Sequence, residues 1–143
     1  RVRKAISLAI DYAGINDGFY GAGWAYQSSV HPGFREGWKP DKVKTLPGFN
    51  PNTKAADRAE GSKLLAAAGF PNGKGLEQQV DFINIDLLRE NAERFQAQMA
   101  TSYPEMKVAL KPYADSASFS VPQAAGQFKS VMYVITAAND WTS

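Results

Sequence analysis

Residues 131–135 (VMYVI) constrain the fold most, because five largely apolar residues follow one another without a charged or strongly polar interruption. The run is too short for an independent helix, and it is rich in the β-branched and aromatic residues that suit a strand covered on both faces. We therefore predict a central strand here. Small and polar residues follow it, and a large aromatic residue comes two positions before the sequence ends.

The segment after this strand, residues 136–141, is a candidate binding site. In open α/β sheets, ligands bind in the crevice outside the carboxyl ends of the strands. Thr136, Asn139 and Asp140 supply polar groups there, and Trp141 supplies an aromatic surface. The alternative is a loop that only caps the edge of the sheet, and these residues alone do not decide between the two.

The first half of the chain is predicted to hold two helices separated by a long loop. Apolar residues recur from Val2 at helical spacing, which predicts an amphipathic helix that Gly14 ends or kinks. A capping box that opens at Asp57 predicts a second helix, with an earlier start at Thr53 as the alternative. The region between them is rich in Gly, Pro and aromatic residues, and such long loops are typically functional or disordered. The aromatic residues favour an ordered loop.

The second half alternates strands and helices, and Asp86 and Asp115 are the predicted N-caps of its two helices. The predicted elements are a turn at 71–75, a strand at 80–85, a helix at 86–102, a strand nearer the edge at 106–111, a short helix limited by Pro122 and closed by Gly126, and the strand at 131–135. Two consecutive right-handed crossovers build a parallel sheet. If the first strand lies between the other two, residues 84–86 face residues 136–140 across the carboxyl edge.

The predicted fold class is therefore α/β, with a strand-helix-strand-helix-strand core preceded by two helices and a long loop. The composition fits one domain over residues 1–143, because 44% of the residues are hydrophobic and 21% are charged. The 16 basic and 14 acidic residues are interspersed, so no basic stripe indicates nucleic-acid binding. No apolar run approaches the roughly 20 residues that span a bilayer, so we expect no direct membrane insertion in this segment.

The sequence offers little for catalysis or metal binding. The chain has no cysteine, which leaves the redox compartment open, and its one histidine, His31, lies in a Gly- and Pro-rich loop without a nucleophile motif nearby. A zinc site built on histidines is therefore nearly excluded. The turn at 73–75 is too short for a phosphate-binding loop and follows a helix. We expect no enzymatic activity, metal or cofactor, and interpret the aromatic loop and the polar strand end as binding features.

Several segments, taken in order, resemble the second lobe of the family 5 extracellular solute-binding proteins. These segments are residues 2–11 (VRKAISLAID), a Gly-containing loop that ends near His31 and Pro32, residues 63–73 (KLLAAAGFPNG), and a helix-strand-helix run into residues 126–128 (GQF). The resemblance covers nearly the whole chain. Members of this family are the peptide, nickel and oligosaccharide receptors of ABC importers.

The resemblance implies a lobe of a two-lobed fold of the periplasmic-binding-protein type II class, which closes on its ligand by hinge motion. It also implies that this chain, which begins at Arg1 without a Met, is a fragment of a longer protein. The expected function is capture of a peptide or similar small solute and its delivery to a membrane permease. The expected location is the periplasm or the outer cell surface, attached to or near the cytoplasmic membrane.

The resemblance also implies that two segments of this chain line the ligand cleft. The residues concerned are Trp24, Tyr26 and His31 in the loop after the first helix, and Thr136, Asn139, Asp140 and Trp141 after the last strand. Aromatic rings can stack on a sugar or an apolar side chain, and amide and carboxylate groups can hydrogen-bond in a closed cleft. The alternative is that the two loop aromatics only pack the loop and that the histidine satisfies loop backbone groups.

Two departures from the family pattern bear on the ligand. The family often has an arginine in the first helix where this chain has Tyr12. Peptide receptors of the family commonly carry a tryptophan and, three residues later, an acid that pairs with the peptide amino terminus, and the corresponding positions here are Ile135 and Ala138. An uncharged or anionic ligand, oligosaccharide or opine-like, is then the simpler expectation, unless Asp140 serves instead.

Two further classes remain open. One is an α/β enzyme domain whose catalytic residues lie outside this segment. The other is a sensory or protein-interaction module on the same fold. Such a module would leave the aromatic loop exposed as an apolar patch, whereas a receptor would turn the loop toward a cleft.

Overall fold

A three-stranded parallel sheet organises the computed structural model, which describes residues 1–15, 38–127 and 131–132. The strands are β1 (Glu77–Ile83), β2 (Lys107–Tyr113) and β3 (Val131–Met132), and their order in the sheet is β2-β1-β3. β1 pairs with β2 over its whole length and with β3 at Asp81 and Phe82. The arrangement with the first strand in the middle, which the sequence left as a condition, is therefore the observed one.

The prediction that the strand at 131–135 is central is wrong for the sheet that the structure describes. β3 pairs with β1 and lies at one side of the sheet, while β1 has a neighbour on each side. An apolar run indicates that both faces of a strand are covered by other parts of the protein. It does not indicate whether the strand has one or two hydrogen-bonded neighbouring strands, and the prediction failed for this reason. Residues 133–135 lie outside the described part of the chain.

Five helices lie wholly within the described residues, and residues 12–15 are helical as well. The five helices are α1 (Val2–Ala9), α2 (Pro40–Val43), α3 (Lys54–Ala66), α4 (Asp86–Ser102) and α5 (Ser116–Ala124), and short 3-10 turns cover Pro51–Thr53 and Pro71–Gly73. α4 covers one face of the sheet, where Val80 and Phe82 pack against Leu88 and Ala92. α5 lies on the other face, because Phe119 meets the ring of Tyr113 there.

The predicted bounds of α4 are confirmed, since the helix ends at Ser102 and Tyr103 leaves the helical region with φ −139° before a proline. Its predicted N-cap is wrong by one residue. Ile85 is the extended N-cap residue and Asp86 occupies the first turn, where a carboxylate still favours the positive end of the helix.

The capping box predicted at Asp57 is wrong, and the earlier alternative start at Thr53 is confirmed. Asp57 lies inside the first turn of α3 and is buried. Its Oδ2 accepts hydrogen bonds from the Gly48 backbone N–H at 3.0 Å and from Thr53 Oγ1 at 3.2 Å. Its partner is thus a turn nine residues away, which a local sequence motif cannot reveal.

Other element bounds also differ from the predictions. The first strand runs over residues 77–83 where 80–85 was predicted, and the second ends at Tyr113 where 111 was predicted. Pro122 lies inside α5 and does not limit it, and the helix continues to Ala124. Gly126, predicted to close this helix, follows with a φ of +64°, a value that favours glycine.

α1 ends earlier than Gly14, because Ile10 adopts an extended conformation and helical geometry resumes at residues 12–15. Distant side chains satisfy the backbone groups that this break exposes. Lys54 Nζ donates to the carbonyl oxygens of Ile10 at 2.6 Å, Leu8 at 3.4 Å and Gly48 at 2.6 Å. Burial lowers the pKa of the Lys54 ammonium, and nearby carboxylates oppose that shift.

Tyr103 joins the end of α4 to the helical layer, which is formed by α1 and α3. Its side chain is fully buried, and its hydroxyl donates to the Ala5 carbonyl oxygen at 2.7 Å. It belongs to a cluster with Ala9, Leu65 and Met99, which brings α1, α3 and α4 together. Gly61 makes room for the phenol, because a Cβ atom there would lie 2.2 Å from the Tyr103 hydroxyl oxygen.

Gly61→Ala should lower the free energy of unfolding by about 1–3 kcal/mol, because the added methyl group overpacks the site of the Tyr103 hydroxyl. Helix propensity alone predicts that the same substitution raises the free energy of unfolding by up to about 1 kcal/mol. A loss of stability therefore indicates the clash, and a gain indicates that propensity dominates. Urea denaturation measures it. Adding Tyr103→Phe to Gly61→Ala should recover part of the loss, whereas strictly additive losses would contradict the proposed clash.

Lys54→Met should lower the free energy of unfolding by about 1–2 kcal/mol, because three carbonyl oxygens lose a charged donor while the aliphatic stem is kept. The matched control is Lys63→Met, on the same helix but exposed, which should change stability by less than about 0.5 kcal/mol. Equal losses in both variants would show that the carbonyl contacts of Lys54 contribute little.

Candidate functional site

The carboxyl ends of β1 and β2 form the described part of the candidate site. Ile83 and Tyr113 are register partners at this edge. The Asn84 backbone N–H donates to the Tyr113 carbonyl oxygen at 2.8 Å, and the Ile85 N–H donates to the Ile83 carbonyl oxygen at 2.7 Å. These two bonds turn the chain sharply from β1 into α4, so residues 84–86 are presented at the edge.

This edge turn, residues 84–86, exposes one apolar side chain between two polar ones. Ile85 is 48% exposed, which is high for a large aliphatic residue, and Asn84 and Asp86 are exposed on either side of it. A surface with one apolar contact and flanking amide and carboxylate groups suits a small amphipathic ligand. The chain adds β2 on one side of β1 and β3 on the other, so the strand order switches direction between β1 and β3. Open α/β sheets bind ligands at such a switch point.

The acidic group of the edge turn is paired with a cation. Asp86 Oδ1 lies 2.5 Å from Arg89 Nη2, one turn further along α4. Both side chains are substantially exposed, so the pair contributes little to stability. It does neutralise the carboxylate at the edge.

A buried polar network lies next to the edge turn, on the face of the sheet that α5 occupies. The Asp81 side chain is fully buried, and Gln79 Nε2 donates to both of its carboxylate oxygens, at 2.9 and 3.1 Å. The Tyr113 hydroxyl donates to Asp81 Oδ1 at 3.1 Å. Lys111, the register partner of Asp81, places its ammonium 5.1 Å from the Tyr113 ring centroid. Hydrogen bonding to Tyr113 and attraction to Asp81 raise the pKa of Lys111.

This network was not predicted from the sequence. A signal was present in residues 79–82 (QVDF), where polar and apolar residues alternate and place Gln79 and Asp81 on one face of the strand. The partner Tyr113 could not be read from the sequence, because it depends on the register between β1 and β2.

α5 begins directly after the carboxyl end of β2, and a complete capping box fixes its start. Asp115 Oδ1 accepts the Ser118 backbone N–H at 2.7 Å, and the Asp115 N–H donates to Ser118 Oγ at 3.3 Å. The Asp115 N-cap predicted from the sequence is thus confirmed. The backbone bond from Ser118, followed by that residue's hydroxyl, lowers the pKa of the Asp115 carboxyl.

All seven residues predicted to contact ligand lie outside the described part of the chain. They are Trp24, Tyr26, His31, Thr136, Asn139, Asp140 and Trp141. Their assignment stays a prediction, as does the expectation that residues 136–140 face the edge turn. Within the described residues, the structure contains no cluster of three or more acidic or histidine side chains suited to a metal ion.

The departure at Tyr12 has a structural counterpart. The ring of Tyr12 stacks on Phe49 with centroids 4.4 Å apart and an interplanar angle of 9°. An aromatic contact therefore connects residues 12–15 to the turn before α3.

No helix in the described ranges is long and apolar enough to cross a bilayer.

The chain matches one family model over its entire length. Residues 1–143 match the model described as bacterial extracellular solute-binding proteins, family 5 Middle. A comparison with curated protein sequences gave no match.

Solved structures with the same fold come from three bacterial proteins, among others. The oligopeptide-binding protein OppAIV of Borrelia burgdorferi is 23% identical to this chain, with a TM-score of 0.70. The murein tripeptide-binding protein MppA of Escherichia coli is 20% identical, with a TM-score of 0.69. Each of these two matches covers 91% of this chain and 24% of the other protein. NikA of Brucella suis, solved with Fe(III)-EDTA, is 22% identical with a TM-score of 0.63, over 96% of this chain and 28% of the other. The chain thus spans about a quarter of the length of these proteins.

The N-cap at Asp115 should make the free energy of unfolding depend on pH in the acidic range. Its folded-state pKa lies below its unfolded value, so the stabilisation is present above the unfolded pKa of 3.8 and is lost as the pH falls through the folded pKa. Asp115→Asn keeps an acceptor but removes the charge. Urea denaturation should show wild type more stable than Asp115→Asn near neutral pH, with no difference in strong acid. A difference that does not change with pH would contradict the role of the charge.

Proposed function

The chain belongs to the bacterial extracellular solute-binding proteins of family 5, and from this premise we propose that it is one lobe of a two-lobed receptor of an ABC importer. In this proposal, the whole protein captures a peptide or similar small solute outside the cytoplasmic membrane, in the periplasm or at the cell surface. Closure of the lobes presents the loaded form to the membrane permease. The match of the family model over all 143 residues is the observation that carries the proposal.

The geometry of the edge turn supports this function. A receptor needs a rigid platform with a few exposed groups that can contact a solute, and residues 84–86 provide an apolar and an amide group on a turn fixed by two backbone hydrogen bonds. We propose that this edge forms one wall of the cleft, with the second lobe outside this chain forming the other. Half of the cleft alone should bind weakly, because a solute held on one side stays largely in water.

We further propose that the seven residues predicted from the sequence complete the wall. Stacking on Trp24, Tyr26 or Trp141 would hold a flat or apolar ligand face, while His31, Thr136, Asn139 and Asp140 would supply hydrogen bonds. The support comes from the family match and from the strand order, which brings the end of β3 beside the end of β1.

A peptide is the proposed ligand, with a nonpeptide solute as the alternative. Similar structures include an oligopeptide-binding protein, a murein tripeptide-binding protein and a complex with Fe(III)-EDTA, so the fold accommodates different solutes. Ala138, where peptide receptors commonly carry an acid, favours an oligosaccharide or opine-like compound, while Asp140 could restore an ammonium partner. We propose binding without catalysis, in keeping with a family of binding proteins.

The decisive experiment is native purification of the full-length protein, followed by denaturation and mass spectrometry of any released small molecule. A released peptide or other solute supports the receptor function and identifies its ligand class. If no compound is released and none in a panel of peptides, sugars and metal chelates raises the unfolding temperature, the proposal is wrong and the interaction-module class is favoured.

Asp140→Asn tests whether Asp140 pairs with the amino terminus of a peptide ligand. If the ligand is a peptide bound through its amino terminus by this residue, its affinity should fall roughly 10- to 100-fold, because a hydrogen bond between charged groups is lost. Isothermal titration calorimetry with the identified ligand measures the change. The control Glu93→Gln, on an exposed position of α4, should leave the affinity unchanged. A peptide ligand with unchanged affinity would exclude Asp140 as the ammonium partner.

A further inference from the structure

The buried carboxylate of Asp81 is costly for a strand in the middle of a sheet. Its side chain has no exposed surface, and its three hydrogen bonds come from the amide of Gln79 and the phenol of Tyr113. The ion pairs found among the described residues involve other carboxylates, those of Asp86 and Glu77. Lys111, its register partner, attracts Asp81 but forms no salt bridge with it, and apolar residues of similar volume are often at least as stable at a buried charged site. Stabilisation alone therefore does not explain Asp81.

The network has a clear geometric effect, which it exerts through Tyr113. The Tyr113 hydroxyl is bonded to Asp81 at 3.1 Å, and its carbonyl oxygen accepts the Asn84 N–H at 2.8 Å. Its ring meets the ring of Phe119 edge-on, with centroids 5.6 Å apart. One residue thus connects the interior of β1, the edge turn and α5.

We propose that Asp81 and Tyr113 are positioning residues that hold the edge turn, residues 84–86, in a fixed orientation. Asp81 fixes the phenol and thereby the last residue of β2, and the carbonyl oxygen of that residue fixes the start of the turn. A polar contact suits this task because a hydrogen bond has a preferred direction, whereas apolar packing tolerates sliding. The inference deepens the proposed function, since it takes this turn as the wall of the cleft, but its test needs no ligand.

The test compares Tyr113→Phe with the matched control Tyr103→Phe in the full-length protein. Both variants remove one tyrosine hydroxyl that donates a hydrogen bond, but Tyr103 bonds Ala5 in the helical layer, away from the edge turn. Hydrogen exchange followed by mass spectrometry reports the protection of a peptide covering residues 83–87. Dividing its exchange rate by that of a peptide within α4 removes the effect of any change in global stability.

In Tyr113→Phe, this normalised rate should rise about tenfold, while in Tyr103→Phe it should stay within about twofold of wild type. An unchanged rate in Tyr113→Phe, or an equal rise in both variants, would overturn the positioning role. Because Asp81→Asn should produce the same local rise, adding it to Tyr113→Phe should have little further effect. Two independent, multiplying effects would show that the two residues do not act through one contact.

A variant with an apolar pair separates positioning from folding. Asp81→Leu combined with Tyr113→Phe replaces the polar contact with side chains that can pack, so the protein should unfold at a temperature no lower than that of Tyr113→Phe alone. The edge turn should nevertheless exchange faster than in wild type. A stable double variant with wild-type protection of this turn would overturn the proposal.

The two proposals fail in distinguishable ways. If exchange behaves as expected but no solute is released from the native protein, the receptor function is wrong and the positioning role stands. If a solute is recovered and the edge turn is indifferent to Tyr113→Phe, the receptor function stands and the positioning role is wrong.

Discussion

The hydrogen bond from the Tyr103 hydroxyl to the Ala5 carbonyl oxygen connects two parts of the chain that are 98 residues apart. It fixes the end of α4 against α1, and it depends on the missing side chain of Gly61 in α3. α4 is shared by both layers, because Met99 belongs to the helical cluster while Leu88 and Ala92 cover the sheet. The position of the sheet relative to the helices therefore follows from where α4 is held.

Features governed by neighbouring residues could be predicted, and those governed by distant partners could not. α4 was predicted with its bounds because a proline two residues after its end restricts the backbone locally. The start of α3 was misassigned because Asp57 bonds the Gly48 N–H, a partner supplied by a preceding turn. The break in α1 at Ile10 was missed because a lysine from α3 and Gln98 from α4 satisfy the backbone groups around it.

The same division applies to the candidate site. The edge turn was predictable because the carboxyl ends of parallel strands meet at one edge, whatever the register. The network of Asp81 and Tyr113 was not, because a shift of one residue between β1 and β2 would place the tyrosine on the opposite face. The seven ligand residues predicted from the family resemblance remain predictions, since they lie outside the part of the chain that the structure describes.

The charges at the described edge restrict where a ligand ammonium group could find an acid. Asp86 is paired with Arg89, Asp115 caps α5, and Asp81 is buried and bonded to Gln79 and Tyr113. Asp86 is exposed and bonds Arg89 through Oδ1, so its second oxygen can still accept a ligand cation. Both oxygens of buried Asp81 are bonded, and a cation there would have to displace Gln79 or Tyr113. Proteins with this fold and about 20% identity include an oligopeptide-binding protein, a murein tripeptide-binding protein and a protein solved with Fe(III)-EDTA, so the same fold occurs with different solutes.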